Sequence, residues 1–213
     1  LIHDDLPCMD DDNIRRGKLT THKKFGESTA ILAGNSLLTI SFEILSSPEL
    51  NIPSNLKNRI INLISKCAGH SGVAGGQYLD LNYEKRNVTR NKIIDMQRKK
   101  TGMLFQFCCL IPVLLSKKKQ YFSRFANIGL DIGLLFQITD DLIDHKGTAK
   151  KVGKKTRKDK KKGKATLISL LGYKNTINYS LLLKNNIFKK VSIFKNKAND
   201  LKETLDFVIS RDK

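Results

Sequence analysis

Cysteine, proline and acidic residues are all scarce in this chain, and each shortage closes off a class of protein. The four cysteines, Cys8, Cys67, Cys108 and Cys109, show no CxxC spacing and no nearby histidine pair. Neither a zinc site nor a disulfide framework is indicated, and a reduced cytoplasmic setting follows. Cys108 and Cys109 lie in an apolar stretch, where small core residues are expected. Four prolines and 40% hydrophobic residues fit an ordinary globular protein, and 213 residues suffice for one domain (1–213) with one sizeable core. No apolar run has the length needed to cross a bilayer. The longest, around 103–115 and 128–138, are broken by Gln, Asp or Gly and suit buried helices, so no transmembrane segment is expected. The start shows no basic region or cleavage site, hence no visible signal peptide. It also opens mid-pattern without an initiating methionine, and we expect further residues upstream.

Acidic residues number 20 against 39 lysines and arginines, a net charge of +19. Such a balance is compatible with nucleic acid or an anionic membrane surface. The lysines, however, are scattered through the second half among Asn and Ile, without arginine clusters or interleaved aromatics. These three residue types share A/T-rich codons, so we read the excess as solvated surface and expect no specific nucleic-acid partner.

The periodicity is helical throughout. Residues 26–47 carry eight large apolar side chains, among them Leu32, Leu37 and Ile44, dense enough for a mostly buried helix. Pro48 and Pro53 end it, and Ser54 reads as the N-cap of a helix through Ile60, Ile61 and Ile64. Glycines cluster over 69–76. Thr89 caps a long segment ending near Pro112, another runs from about Gln120 to Asp144, and 200–209 form a short amphipathic helix. Nothing alternates with period two, so no strands are expected. Residues 145–164, rich in Lys and Gly, are too poor in apolar residues to join a core.

Against this background the acids are concentrated in two places. Asp4, Asp5, Asp10, Asp11 and Asp12 put five carboxylates into nine residues, which repel one another unless cations intervene; Arg15 and Arg16 follow at once. Asp140, Asp141 and Asp144 close the apolar run 132–138, and Asp140 and Asp144 share one helix face. Either cluster alone is a weak signal. Two of them, 136 positions apart in one helical chain, suit Mg²⁺, which is held by one or two carboxylates plus substrate phosphates. Such ions neutralise the charge developing on a departing diphosphate.

The segment IHDDLPCMDDDNIRRGKLTTHKKFGESTAILAGNSLL, residues 2–38, resembles the first aspartate-rich region of trans-isoprenyl diphosphate synthases, bacterial farnesyl diphosphate synthases in particular. GGQYLDL (75–81), KKTG (99–102), FQITDDLID (136–144) and GKAT (163–166) resemble further motifs of that family, and the ending FVISRDK resembles its C-terminus. The resemblance implies an all-α bundle of mostly antiparallel helices around a central active-site cavity, a homodimer, and three Mg²⁺ ions. It implies Asp4, Asp10, Asp140 and Asp144 as metal ligands, and Arg15, Lys100, Thr101 and Gln137 as contacts to an allylic diphosphate. Arg16 is implied as a contact to isopentenyl diphosphate, and Lys154 as a diphosphate-binding lysine in a mobile flap over 145–164. Asp4, Asp10, Arg15, Lys100 and Asp140 form the implied catalytic set.

The implied reaction joins isopentenyl diphosphate to dimethylallyl or geranyl diphosphate and releases pyrophosphate, with farnesyl diphosphate as the favoured product. Geranylgeranyl or longer products, and a non-catalytic remnant, are the alternatives. The family's upstream helices, with a Gly-Lys-x-x-Arg element and a histidine, have no counterpart here, as if N-terminally truncated.

Overall fold

The first acidic segment folds as a chain of turns. In the computed structural model, which describes residues 1–146 and 163–211, the amide of Asp10 bonds the carbonyl of Asp4 at 2.8 Å and that of Asp12 the carbonyl of Asp5 at 3.1 Å. A hairpin follows, β1 (Ile14–Arg15) against β2 (Lys18–Leu19), with Ile14 opposite Leu19. Its two loop residues, Arg16 (φ 52°) and Gly17 (φ 75°), both take the left-handed conformation that tight hairpins demand. These two short strands correct the expectation of none: two residues each are too few for alternation to register.

Helices α1 (Thr21–Phe25), α2 (Glu27–Ser46) and α3 (Ser54–Ala68) come next. Ser54 is the first helical residue and not the cap, a shift of one position. Helix α2 departs furthest from expectation. Only Ala30 is buried, while Leu32 is 66% and Leu37 59% exposed. Its apolar residues are as dense as the sequence indicates, but among the described residues most of them are left exposed. By length and composition alone α2 could cross a membrane, with a mean hydropathy of 1.3 over its best window. That corrects the reading that no segment is long enough, although core helices of soluble proteins share the property.

The chain divides into two compact units, Leu1–Ile61 and, among the described residues, Asn62–Lys146 with 163–211. The second is built on α7 (Phe122–Lys146). Ile128, Ile132, Leu134, Leu135 and Ile138 are at most 6% exposed, so α7 is buried on most of its circumference. Around it lie α4 (Val73–Tyr83), α5 (Arg90–Gln97), a π-helical turn (Arg98–Gly102), α6 (Met103–Leu115), α8 (Leu167–Leu171), α9 (Tyr173–Val191) and α10 (Asn199–Ser210). Helix α6 carries Pro112 inside it and runs three residues past the expected end. Cys109 is half-buried, but Cys108 is exposed, contrary to the core role expected for both. Helix α9 buries Thr176, Ser180, Leu183, Ile187 and Val191. That stripe at steps of three and four packs against α7.

Candidate active site

In the first unit the five carboxylates separate into two buried and three at the surface. Asp5 and Asp12 are 3% and 6% exposed. Arg15 sets its fork on Asp5, Nε donating to Oδ1 at 2.8 Å and to Oδ2 at 3.0 Å, Nη2 to Oδ1 at 2.5 Å. The same Nη2 lies 3.8 Å from Asp12 Oδ2. The hydrogen bond that Arg15 donates to Asp5 raises its pKa against the opposing effect of burial, with the charges of Asp5, Asp4 and Asp10 adding to the rise. A bidentate, part-buried arginine fixes geometry as well as charge. Asp4 and Asp10, the expected metal ligands, are only partly covered, and Arg16 is exposed in the hairpin loop. Thr20 donates its hydroxyl to the Asp12 carbonyl at 2.6 Å and sits 3.2 Å from His22 Nδ1, closing the turn from behind.

The second unit holds an open concavity of about 300 Å³, its mouth included, lined by Asp80, Lys100, Gln137, Asp141 and Lys164 among others. Lys100 Nζ donates to Asp80 Oδ2 at 2.6 Å, and Lys164 Nζ lies 3.5 Å from the same oxygen. Two ammonium groups therefore converge on one carboxylate that is 6% exposed. Thr101 Oγ1 donates to Gln137 Oε1 at 2.9 Å. Gln137 in turn donates to Asp141 Oδ1 at 2.8 Å, and Gln97 to Asp141 Oδ2 at 3.0 Å. Two amides, one on each oxygen, thus orient Asp141.

Asp140 faces the other way. Arg211 Nη2 donates to its Oδ1 at 2.6 Å and to the Phe136 carbonyl at 3.2 Å, with the guanidinium 3.8 Å over the Phe136 ring. A side-chain cation is therefore seated on the carboxylate expected to hold a metal ion. Asp144 is buried at 7% exposure. Among the described residues no three His, Cys, Asp or Glu side chains converge into a ready-made cage. The donors available are all carboxylate oxygens, which suits a hard cation that completes its shell with water and phosphate oxygens.

The structure brings Lys100, Thr101 and Gln137 together as expected. It adds Asp80 and Gln97, whose only signal was their place inside GGQYLDL and beside KKTG, and Asp141, which the sequence reading counted in the second acidic cluster without giving it a role. Lys164, the last residue of the 145–164 segment, also lines this pocket. Lys154 and the remainder of the expected flap, 147–162, lie outside the described residues.

An all-α fold whose second unit pairs an aspartate-rich helix with a lysine-lined polar pocket defines the class: a helical protein equipped for a polyphosphate anion. The chain belongs to the polyprenyl synthetase family, whose model matches residues 1–206, and it is a trans-prenyltransferase. It is 39% identical to a geranylgeranyl diphosphate synthase of Cyanophora paradoxa, over 99% of this chain and 71% of that protein. It is 36% identical to the farnesyl diphosphate synthase of Bacillus subtilis, over 100% of this chain and 72% of that one. Among solved structures, a Helicobacter pylori geranyltransferase complexed with magnesium and isoprenyl diphosphate superposes with a TM-score of 0.86. That structure shares 32% identity and covers 98% of this chain and 68% of its own.

Proposed function

We propose that the chain condenses isopentenyl diphosphate with dimethylallyl or geranyl diphosphate to give farnesyl diphosphate and pyrophosphate. The observation that carries this is the pocket of the second unit. Lys100 and Lys164 share one carboxylate there, beside Thr101 and Gln137 and on the flank of the helix that bears Asp140, Asp141 and Asp144. Ammonium groups resting on Asp80 are poised to exchange onto phosphate oxygens. In the reaction the allylic C–O bond breaks and its electron pair leaves with the diphosphate. The alkene of isopentenyl diphosphate attacks the allylic carbon, and the proton lost from the adduct passes to the pyrophosphate.

Magnesium, when bound, supplies Lewis-acid stabilisation of that leaving group. We assign Asp4 and Asp10 to two of three ions and Asp140, with Asp144, to the third. Arg15, Lys100, Thr101, Gln137 and Lys154 contact the allylic diphosphate and Arg16 the isopentenyl one. An exclusively oxygen donor set supports that assignment, and an ion at Asp140 would take the place that the Arg211 guanidinium holds on Oδ1. Asp4, Asp10, Arg15, Lys100 and Asp140 are the catalytic set. The resemblance to a geranylgeranyl synthase keeps a longer product as the second reading, to be decided by chromatography of the prenyl alcohols after phosphatase treatment.

We further propose a cytoplasmic homodimer in which the exposed apolar face of α2 is covered by a second copy. Sedimentation should give about twice the 24.1 kDa chain mass, and Leu37→Glu should return it to monomer. The decisive test of function is Asp140→Ala. It should abolish binding of a bisphosphonate in Mg²⁺ while leaving the helical circular dichroism intact, and unchanged binding would refute the metal assignment.

A further inference from the structure

The π-helical turn Arg98–Gly102 delivers Lys100 to the pocket and Thr101 to the side chain of Gln137 in its lining. Wide turns of this kind are rare, intrinsically poor in hydrogen-bond geometry and found mostly at functional sites, so something in the fold must hold this one open. Part of the answer is backbone contact. A Cβ at Gly76 would run into the backbone of Lys100, and one at Gly133 into that of Gly102, so α4 and α7 close on the turn from two sides. Close approach limits how far the turn can move, but it does not fix how the turn is rotated about its own axis.

Rotation is fixed by an ion pair outside the pocket. Arg98, the first residue of the turn, donates Nη2 to Asp131 Oδ1 at 2.6 Å. Asp131 is 4% exposed on α7, and its other oxygen accepts Lys190 Nζ from α9 at 2.5 Å. Arg98 stands two and three residues before Lys100 and Thr101, and Asp131 six residues before Gln137 on a continuous helix. The pair therefore sets the register between the element that carries the lysine and threonine and the helix that carries the glutamine and aspartates. Lys190 holds the same carboxylate from a helix that does not contribute to the pocket lining.

We propose that Arg98 and Asp131 are positioning residues for the diphosphate, acting through Lys100 and Thr101. This rests on the pocket reading given above. Asp131 and Lys190 by themselves would make an ordinary buried fastener. The positioning role belongs to the arm that reaches the π turn, and that asymmetry makes it testable.

The experiment measures inorganic pyrophosphate binding by calorimetry in Mg²⁺, on the full chain and five variants. Arg98→Met and Lys190→Met each leave Asp131 with a single cation, so both should lower the melting temperature by a similar amount. Only Arg98→Met should weaken pyrophosphate binding, by roughly tenfold or more, since small misplacements of a positioned group are costly. Lys190→Met should stay within about twofold of wild type, a shift well under 1 kcal/mol. Arg98→Lys, which restores the charge at the turn, should recover part of the loss. Should Arg98→Met not fold, Asp131→Asn removes the charge while keeping the shape, and the same loss is expected.

Arg98→Met and Lys190→Met weakening binding equally would show a structural fastener and overturn the proposal. So would wild-type affinity in Arg98→Met beside a clear loss in Lys100→Ala. If Lys100→Ala itself bound pyrophosphate like wild type, the pocket assignment beneath the proposal would fall, and the proposal with it.

Discussion

The two acidic segments solve one problem by opposite means. Irregular spacing in the first, 4–12, denies it a helix, so backbone turns and the Arg15 fork on Asp5 set its carboxylates in place. The second lies on α7, where the helix itself spaces Asp140 and Asp144 and side-chain bonds only adjust their aim. The first segment spends a permanent cation on orientation and leaves Asp4, Asp10 and Asp11 nearer the surface. In the second, the amides of Gln97 and Gln137 donate to the two oxygens of Asp141. A loop motif therefore needs a cross-link to set its spacing, while a helical motif has its spacing from the backbone and uses side-chain partners, Arg211 on Asp140 among them, to set aim.

The sharpest way to break that comparison is to remove a carboxylate whose work is structural. Asp80→Ala would leave Lys100 and Lys164 without their shared partner in a setting where their side chains are 17% and 12% exposed. Breaking a buried pair on one side costs about 3–5 kcal/mol, which in a chain of this size lowers the melting temperature by roughly 6–20 °C. Thermal unfolding followed by circular dichroism measures it, and a fall of under about 2 °C would show that the two ammonium groups do not depend on Asp80. A smaller effect is expected in the first segment. Asp5→Ala removes charged hydrogen bonds worth about 1.5–3 kcal/mol, and the turns over 3–13 have no helix to fall back on. Amide exchange should quicken there and remain unchanged over 125–140. Uniform quickening along the chain would mean that Arg15 and Asp5 stabilise the whole fold and not the loop.

What was legible in the sequence follows the same division. Both acidic motifs stood out because like charges crowd at short range, and KKTG only through its resemblance to a family motif. The partners of Asp80 lie 20 and 84 positions away, and the triad Arg98–Asp131–Lys190 spans 92. No local pattern encodes such pairings. The stripe of α9 went unread because two of its five buried positions, Thr176 and Ser180, are polar by composition. Helix α2 was misjudged for the converse reason: apolar density can be counted, but whether a neighbour covers it cannot. The π turn leaves no trace in Arg98–Gly102, since its geometry is imposed by the glycine contacts of α4 and α7.

The last contrast is between a charge held on and a charge held off. Arg15 has its already high pKa raised further by its hydrogen bond to Asp5, so the guanidinium keeps its charge. Cys109, on α6, is also shifted upward, to about 11 from 9.0, chiefly by burial and then by the charge of Cys108. Here the shift favours the neutral thiol in the folded state. Below about pH 9 both states keep the proton and stability does not depend on it. From there the unfolded chain releases its proton first, so folding stability falls as pH rises, until the folded thiol also ionises near 11. The loss amounts to about 1–3 kcal/mol over that window. Urea unfolding of wild type and Cys109→Ala between pH 8 and 11 isolates it, because lysines and tyrosines titrate equally in both. The two stability curves should converge as pH rises, and a constant gap between them would mean that the packing around α6 does not keep the thiol from ionising.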